Sequence, residues 1–147
     1  MKNTLSIEIH APIQTVFDLI HDPQKHKLWL HGLEETIYEP DYDPDHPLGA
    51  SFKQKIRQGM AVQEYDGEVT SFEKPSHLGV RLSGRSLTAL VDYRLKSMRK
   101  VTRVDFTSEL TFKSVAIRAM ATVSGPLLRG ILQEQMNRLK EIAEAGR

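Results

Sequence analysis

Cysteine is absent from all 147 residues, which excludes disulfides, thiolate metal sites and a cysteine nucleophile. That absence fits a reducing compartment, and a cytoplasmic location is expected. An excess of charge of one sign is missing too: charged residues make up 27% of the chain and nearly cancel, to a formal +1. Nucleic-acid binders more often gather a basic excess on one face, so no nucleic-acid partner is expected. Met1 and Lys2 lead straight into an alternating segment, with no apolar run there of the length a signal peptide or a membrane span requires, so stable membrane insertion is not expected either. No glycine-rich phosphate loop, nucleophile elbow or paired metal-ligand motif occurs, no internal repeat or low-complexity segment is present, and no cofactor or metal is expected.

What the chain does contain is a distinctive order of elements. Its length suits one domain over 1–147, large enough to bury about 68–70% of the surface that the unfolded chain exposes. Thr4 to Ile9 alternates with period two, as a half-buried strand does. Pro12 suits the first turn of a helix whose apolar face is Val16, Phe17, Leu19 and Ile20. Asp22-Pro23 then reads as an N-cap and first helical residue of a second short helix, which carries Leu28, Trp29 and Leu30 and stops at Gly32.

From Leu33 the period is two again. Strands are expected at Leu33–Glu39, Ser51–Gln58, Met60–Phe72, His77–Ser83, Ser86–Ser97 and Val101–Phe112, with tight-turn signals at Gln58-Gly59, Ser83-Gly84 and Ser97–Lys100. Asp41 to Gly49 is the longest irregular stretch and the best candidate for a mobile loop. Leu128, Ile131, Leu132, Gln135, Leu139, Ile142 and Ala143 recur at helical spacing in a closing helix of about thirty residues, which Gly125-Pro126 should kink or interrupt. Many strands with one late helix imply an α+β fold, a single curved antiparallel sheet of seven strands wrapped around that helix. Such an arrangement can leave an apolar hollow between the two.

Strand parity names the walls of that hollow. On the strands they are Phe52, Gln54 and Ile56, then Tyr65, then Val80 and Leu82, then Ala89, Val91 and Tyr93, and last Phe106 and Ser108. Trp29 joins from the second short helix, and Val123, Leu127, Leu128 and Ile131 from the closing one. Gln54, Tyr93 and Ser108 carry the sharper signal, because a buried polar group without a partner costs about 1–3 kcal/mol. Each must bond a ligand, a water or the backbone.

Other chemistry-bearing residues read more plainly. His21, His26 and His31 lie five apart, which on one helix turns successive side chains by about 140° and prevents a shared metal. His31, two positions after Trp29, could instead reach the rim of the hollow as a proton donor or base. Asp41, Asp43 and Asp45 mimic the start of a calcium loop, but His46 stands in place of its glycine and Phe52 in place of its bidentate Glu. Glu64, Asp66 and Glu68 are expected on the outer face, since three stacked carboxylates would repel one another if buried. The basic run Arg94, Lys96, Arg99, Lys100 and Arg103 is interleaved with Asp92 and Asp105, as on a solvated face.

The string from Ile7 to Ile20 followed by Trp29, the segment Glu64 to Thr70, the turn at Lys74-Pro75 and the closing Leu139-Lys140-Glu141 together resemble the START-like, birch-pollen-allergen superfamily (SRPBCC). The closest flavour is its bacterial polyketide cyclase/dehydrase group. The resemblance implies a helix-grip fold: seven strands, two short helices after the first, and a long helix across the concave face. Its members bind lipids, sterols, polyketides, quinones and plant hormones, and a minority are cyclases, aromatases or hydrolases. The expected partner is therefore a small hydrophobic molecule, lipid-like or aromatic. It would reach the hollow between the Asp41–Gly49 loop, the Ser83-Gly84 turn and the Pro126 region, with Tyr93, Gln54 or Ser108 orienting its polar end. The alternatives are an enzyme of the cyclase/dehydrase type, with Tyr93 or His31 moving protons, and a protein-interaction module like the chaperone-activator relatives.

Overall fold

Period-two alternation shapes most of the chain, and in a computed structural model that describes residues 1–146 it yields seven strands. They are β1 (Lys2–Ile9), β2 (Leu33–Tyr38), β3 (Ser51–Gln58), β4 (Ala61–Glu73), β5 (His77–Ser83), β6 (Leu87–Met98) and β7 (Val101–Phe112). All pair antiparallel in the order β1-β7-β6-β5-β4-β3-β2, so only the first strand is out of sequence order. The register slips between Leu33 and Glu35 and between Val69 and Ser71, and such irregularities bend and twist a sheet. The outcome is the α+β, helix-grip-like architecture expected from the sequence.

Between β1 and β2 lie α1 (Ile13–His21), a 3-10 turn (Pro23–Lys25) and α2 (His26–Trp29). Pro12 occupies the N-cap of α1, one residue before the helical turn expected for it. Asp22 caps the 3-10 turn through its carboxylate, which accepts from the Gln24 amide at 3.0 Å, with Pro23 directly after it. At Gly32 the backbone takes φ +73°, and a Cβ there would meet the Arg57 carbonyl oxygen at 2.6 Å. Only glycine allows that approach, which lets the Arg57 amide donate to the Gly32 carbonyl at 2.8 Å and lays the helical segment on β3.

The closing helix α3 (Val115–Ala145) starts at a Ser114 cap and runs unbroken through Pro126, where an interruption was expected. Proline removes one rung of the helix, the bond to the Thr122 carbonyl. Thr122 lies in an exposed stretch, so water can take the freed oxygen. The two halves of α3 differ. Met136, Leu139 and Ala143 are fully buried, and the helix packs chiefly on β1, β7, α1 and α2. The first half is largely uncovered: Val123 is 84% and Leu127 69% exposed. By length and apolar content alone α3 could cross a membrane, and its most apolar stretch is not buried in the domain; its second half belongs to the core. That core runs from Ile9, Val16 and Phe17 through Trp29 to Val104 and Phe106.

On the outer face of the sheet the charges pair across strands. Lys53 meets Glu64 at 3.4 Å and Asp66 at 3.7 Å, and Arg81 meets Glu68 at 2.8 Å. All are exposed, and pairs of this kind contribute about 0–1 kcal/mol each.

Candidate functional site

The second half of α3 covers only one end of the concave sheet, and the uncovered remainder borders a partly open hollow of about 190 Å³. Its walls alternate along the strands as parity requires. Phe52, Gln54 and Ile56 come from β3, Val80 and Leu82 from β5, Val91 and Tyr93 from β6, and Phe106 and Ser108 from β7. Trp29 closes the end, 1% exposed, its indole N–H donating to the Leu19 carbonyl at 2.7 Å. That bond fixes the ring edge-on to Tyr93, with centroids 5.9 Å apart, and Tyr93 in turn leans on Phe106 at 5.2 Å. Three aromatic side chains are thus locked into one wall by each other and by the backbone.

Ten of the sixteen side chains expected along the hollow therefore line it. The other six lie off it. Tyr65 is buried, but its ring lies over Gly84, where an added Cβ would stand 2.6 Å from Cε1, and its hydroxyl accepts from the Gln58 amide at 3.0 Å. Ala89 is buried opposite Leu82 in the β5–β6 register, and the longer Leu82 side chain forms the wall there. Val123 and Leu127 point to solvent in the uncovered half of α3. Leu128 and Ile131 are partly buried but lie off it, and the α3 residues that do face the hollow are Leu132 and Gln135.

Several lining residues were not expected. Tyr38 at the end of β2 and Tyr42 in the following loop pack with centroids 4.0 Å apart, and Tyr38 packs on Phe52 at 5.3 Å. His21 and His26 contribute as well, alongside His31, which the sequence already suggested for the rim. His21 donates from Nε2 to the Pro44 carbonyl at 2.9 Å and ties the Asp41–Gly49 segment to α1. The His26 ring is buried, and its Nε2–H donates to the Ile20 carbonyl at 2.7 Å, which leaves Nδ1 as an acceptor without a partner. Burial lowers the pKa of His26 below the ordinary imidazole value, so the ring is held neutral. His31 lies at the rim, and its backbone amide is bound by the Gln135 side chain at 2.9 Å. Among the described residues no cluster of three or more His, Cys, Asp and Glu side chains gathers as a metal site.

Burial pushes the phenols of Tyr93 and Tyr38 well above the ordinary tyrosine pKa, with the Tyr42 phenol adding to the rise at Tyr38. Both stay protonated and available as hydrogen-bond donors. The Tyr93 hydroxyl, the Gln54 amide and the Ser108 hydroxyl belong to side chains more than nine-tenths buried, and none has a hydrogen-bond partner among the described residues. The arrangement is an aromatic and aliphatic hollow whose walls carry these three unused polar groups and, on His26, an unpartnered Nδ1.

The model of the family described as polyketide cyclase / dehydrase and lipid transport matches residues 2–144. No curated protein matches the sequence. Among solved structures, a protein from Thermus thermophilus superposes with a TM-score of 0.79 at 13% identity, over 99% of each chain. One from Rhodobacter sphaeroides gives a TM-score of 0.75 at 15% identity, over 98% of this chain and 92% of that one. DynU16, a protein of the dynemicin biosynthetic locus, gives 0.69 at 18% identity; 99% of this chain aligns with 48% of that larger one. At such identities the likeness is one of fold.

Proposed function

The chain belongs to the polyketide cyclase / dehydrase and lipid transport family, and from that premise we propose that it takes up a small hydrophobic molecule in the hollow between the sheet and α3. One observation carries this reading: a space of about 190 Å³ persists inside an otherwise packed domain, walled by rings and aliphatic side chains that also present unpartnered polar atoms. Protein interiors normally close such gaps, because each unfilled volume forfeits dispersion contacts.

The size is informative. An apolar cavity of about 150 Å³ holds a benzene molecule, so the hollow suits one substituted ring, or the end of a larger molecule that projects through the rim. Burying about 150 Å² of ring surface yields about 4 kcal/mol, which corresponds to millimolar affinity. Tighter binding needs the polar groups of Tyr93, Gln54 and Ser108. Access would run between the Asp41–Gly49 loop, the Ser83-Gly84 turn and α3 at Leu132, since Tyr42, Leu82 and Leu132 line the hollow on that side. A cytoplasmic location fits a chain without cysteine.

A thermal-shift panel of sterols, fatty acids, flavonoid-like aromatics and quinones tests the reading, since any ligand that prefers the folded state raises the Tm. A hit that is also recovered by mass spectrometry of the gently purified protein supports it. No shift across the whole panel, with nothing in the organic extract, refutes it.

A second reading, cyclase- or dehydrase-type catalysis, is favoured by the protonated Tyr93 phenol and the neutral His26 imidazole along the same hollow. It predicts that Tyr93→Phe abolishes turnover of a bound polyketide-like chain while its affinity survives.

A further inference from the structure

The lining of the hollow contains no Asp, Glu, Lys or Arg. Its ionisable groups are three tyrosines and three histidines. Of these, Tyr38 and Tyr93 are held protonated by burial and His26 is held neutral. His21 already spends its Nε2 proton on the Pro44 carbonyl, and His31 stands at the rim. A carboxylate or an ammonium drawn inside would lose its hydration and meet no opposite charge, a cost far above that of a neutral polar group.

Besides the His26 Nδ1 acceptor, the unpartnered amide and the two unpartnered hydroxyls are distributed rather than clustered. Gln54 is on β3, Tyr93 on β6 and Ser108 on β7, and β3 and β7 are separated by β4, β5 and β6 in the sheet. Sheet curvature brings both flanks to the same hollow, so Gln54 and Ser108 approach its contents from different sides. Each offers a donor and an acceptor, and a neutral hydroxyl suits either.

We propose that this hollow selects by charge, admitting a compact, uncharged ring compound that bears hydroxyl groups on two sides and excluding its ionised analogues. The inference rests on the ligand-binding reading and adds what that reading leaves open, the charge and the polar pattern of the ligand. Ring faces stack against Trp29, Tyr93 and Phe106, and the hydroxyls reach Gln54 and Ser108 with Tyr93 between them.

Isothermal titration of the intact protein with four one-ring probes of similar size tests this. Orcinol carries two hydroxyls, para-cresol one, para-toluate a carboxylate and para-methylbenzylamine an ammonium. Orcinol should bind most tightly, para-cresol less, and each ionised probe at least about tenfold more weakly than para-cresol. Ser108→Ala, a small and conservative change, should erase the advantage of orcinol over para-cresol without lowering the Tm. Para-toluate or the ammonium binding as tightly as orcinol overturns the inference, and so does an orcinol preference that survives in both Ser108→Ala and Gln54→Met. If all four probes fail while the wider thermal-shift panel yields a ligand, the charge rule falls and the ligand-binding reading stands. If the panel fails as well, both fall.

Discussion

Replacing Gln54 with methionine, which has similar length and volume, should make the unliganded protein more stable and a poorer binder. The Gln54 side chain is 7% exposed and faces the hollow without a hydrogen-bond partner. An amide stranded in this way costs about 1–3 kcal/mol relative to an apolar side chain of the same shape. Water inside the hollow reduces that cost: at about 30 Å³ per molecule, a space of about 190 Å³ has room for a few waters. A gain of about 1 kcal/mol is therefore expected. In a domain of this size each kcal/mol moves the Tm by about 2–4 °C, which scanning calorimetry resolves. Orcinol affinity should fall at the same time by about five- to tenfold, the worth of one hydrogen bond. A fall in Tm of more than about 3 °C would show that the amide has a structural partner and that the hollow is not built as described. Unchanged stability together with unchanged affinity would refute the reasoning equally.

Three further outcomes follow from the packing. Gly67 lies under the Phe52 ring so closely that an added methyl would overlap it. Gly67→Ala should therefore push Phe52 toward the hollow, cost about 1–3 kcal/mol in denaturant unfolding and weaken every ring ligand. His26 stays neutral in the fold while an unfolded chain takes up a proton near pH 6.5. The unfolded state then binds more protons as pH falls through 6.5 toward the lowered native pKa, so stability present above that point is progressively lost below it. His26→Gln, whose amide can still donate to the Ile20 carbonyl, should flatten this part of the stability–pH curve. Val123→Lys and Leu127→Lys on the uncovered half of α3 should change stability by no more than about 0.5 kcal/mol, as measured by urea titration.

The strands are legible in the sequence because alternation and turn chemistry agree. β6 and β7 carry long unbroken period-two patterns, and the same parity locates Phe52, Gln54, Val91, Tyr93, Phe106 and Ser108 on the concave side. Of the histidines, His31 is legible at the rim, and His21 and His26 are missed for a definite reason. A five-residue spacing implies about 140° only on one continuous helix, whereas His21 ends α1 and His26 begins α2, with the 3-10 turn between them. The chain redirects there, and His21, His26 and His31 can all border one space. In α3 the periodicity tells which residues share a face, but not how far a helix of about 46 Å remains over the sheet. Val123 and Leu127 accordingly belong, by pattern, to a wall that the helix has already left. Tyr38 and Tyr42 escape notice because their contribution depends on the loop folding back on β2, which local pattern does not encode.

Trp29 is the sole tryptophan of the chain, and it is sealed beside Tyr93 at the end of the hollow. Tryptophan fluorescence, excited selectively over the four tyrosines, therefore comes from one position that senses two events at once. Loss of the Leu19 contact on unfolding shifts the emission to longer wavelength, and an arriving ring alters its intensity while the wavelength stays short. The molecule carries its own label, and occupancy and integrity can be read separately in one spectrum, without modifying a single residue.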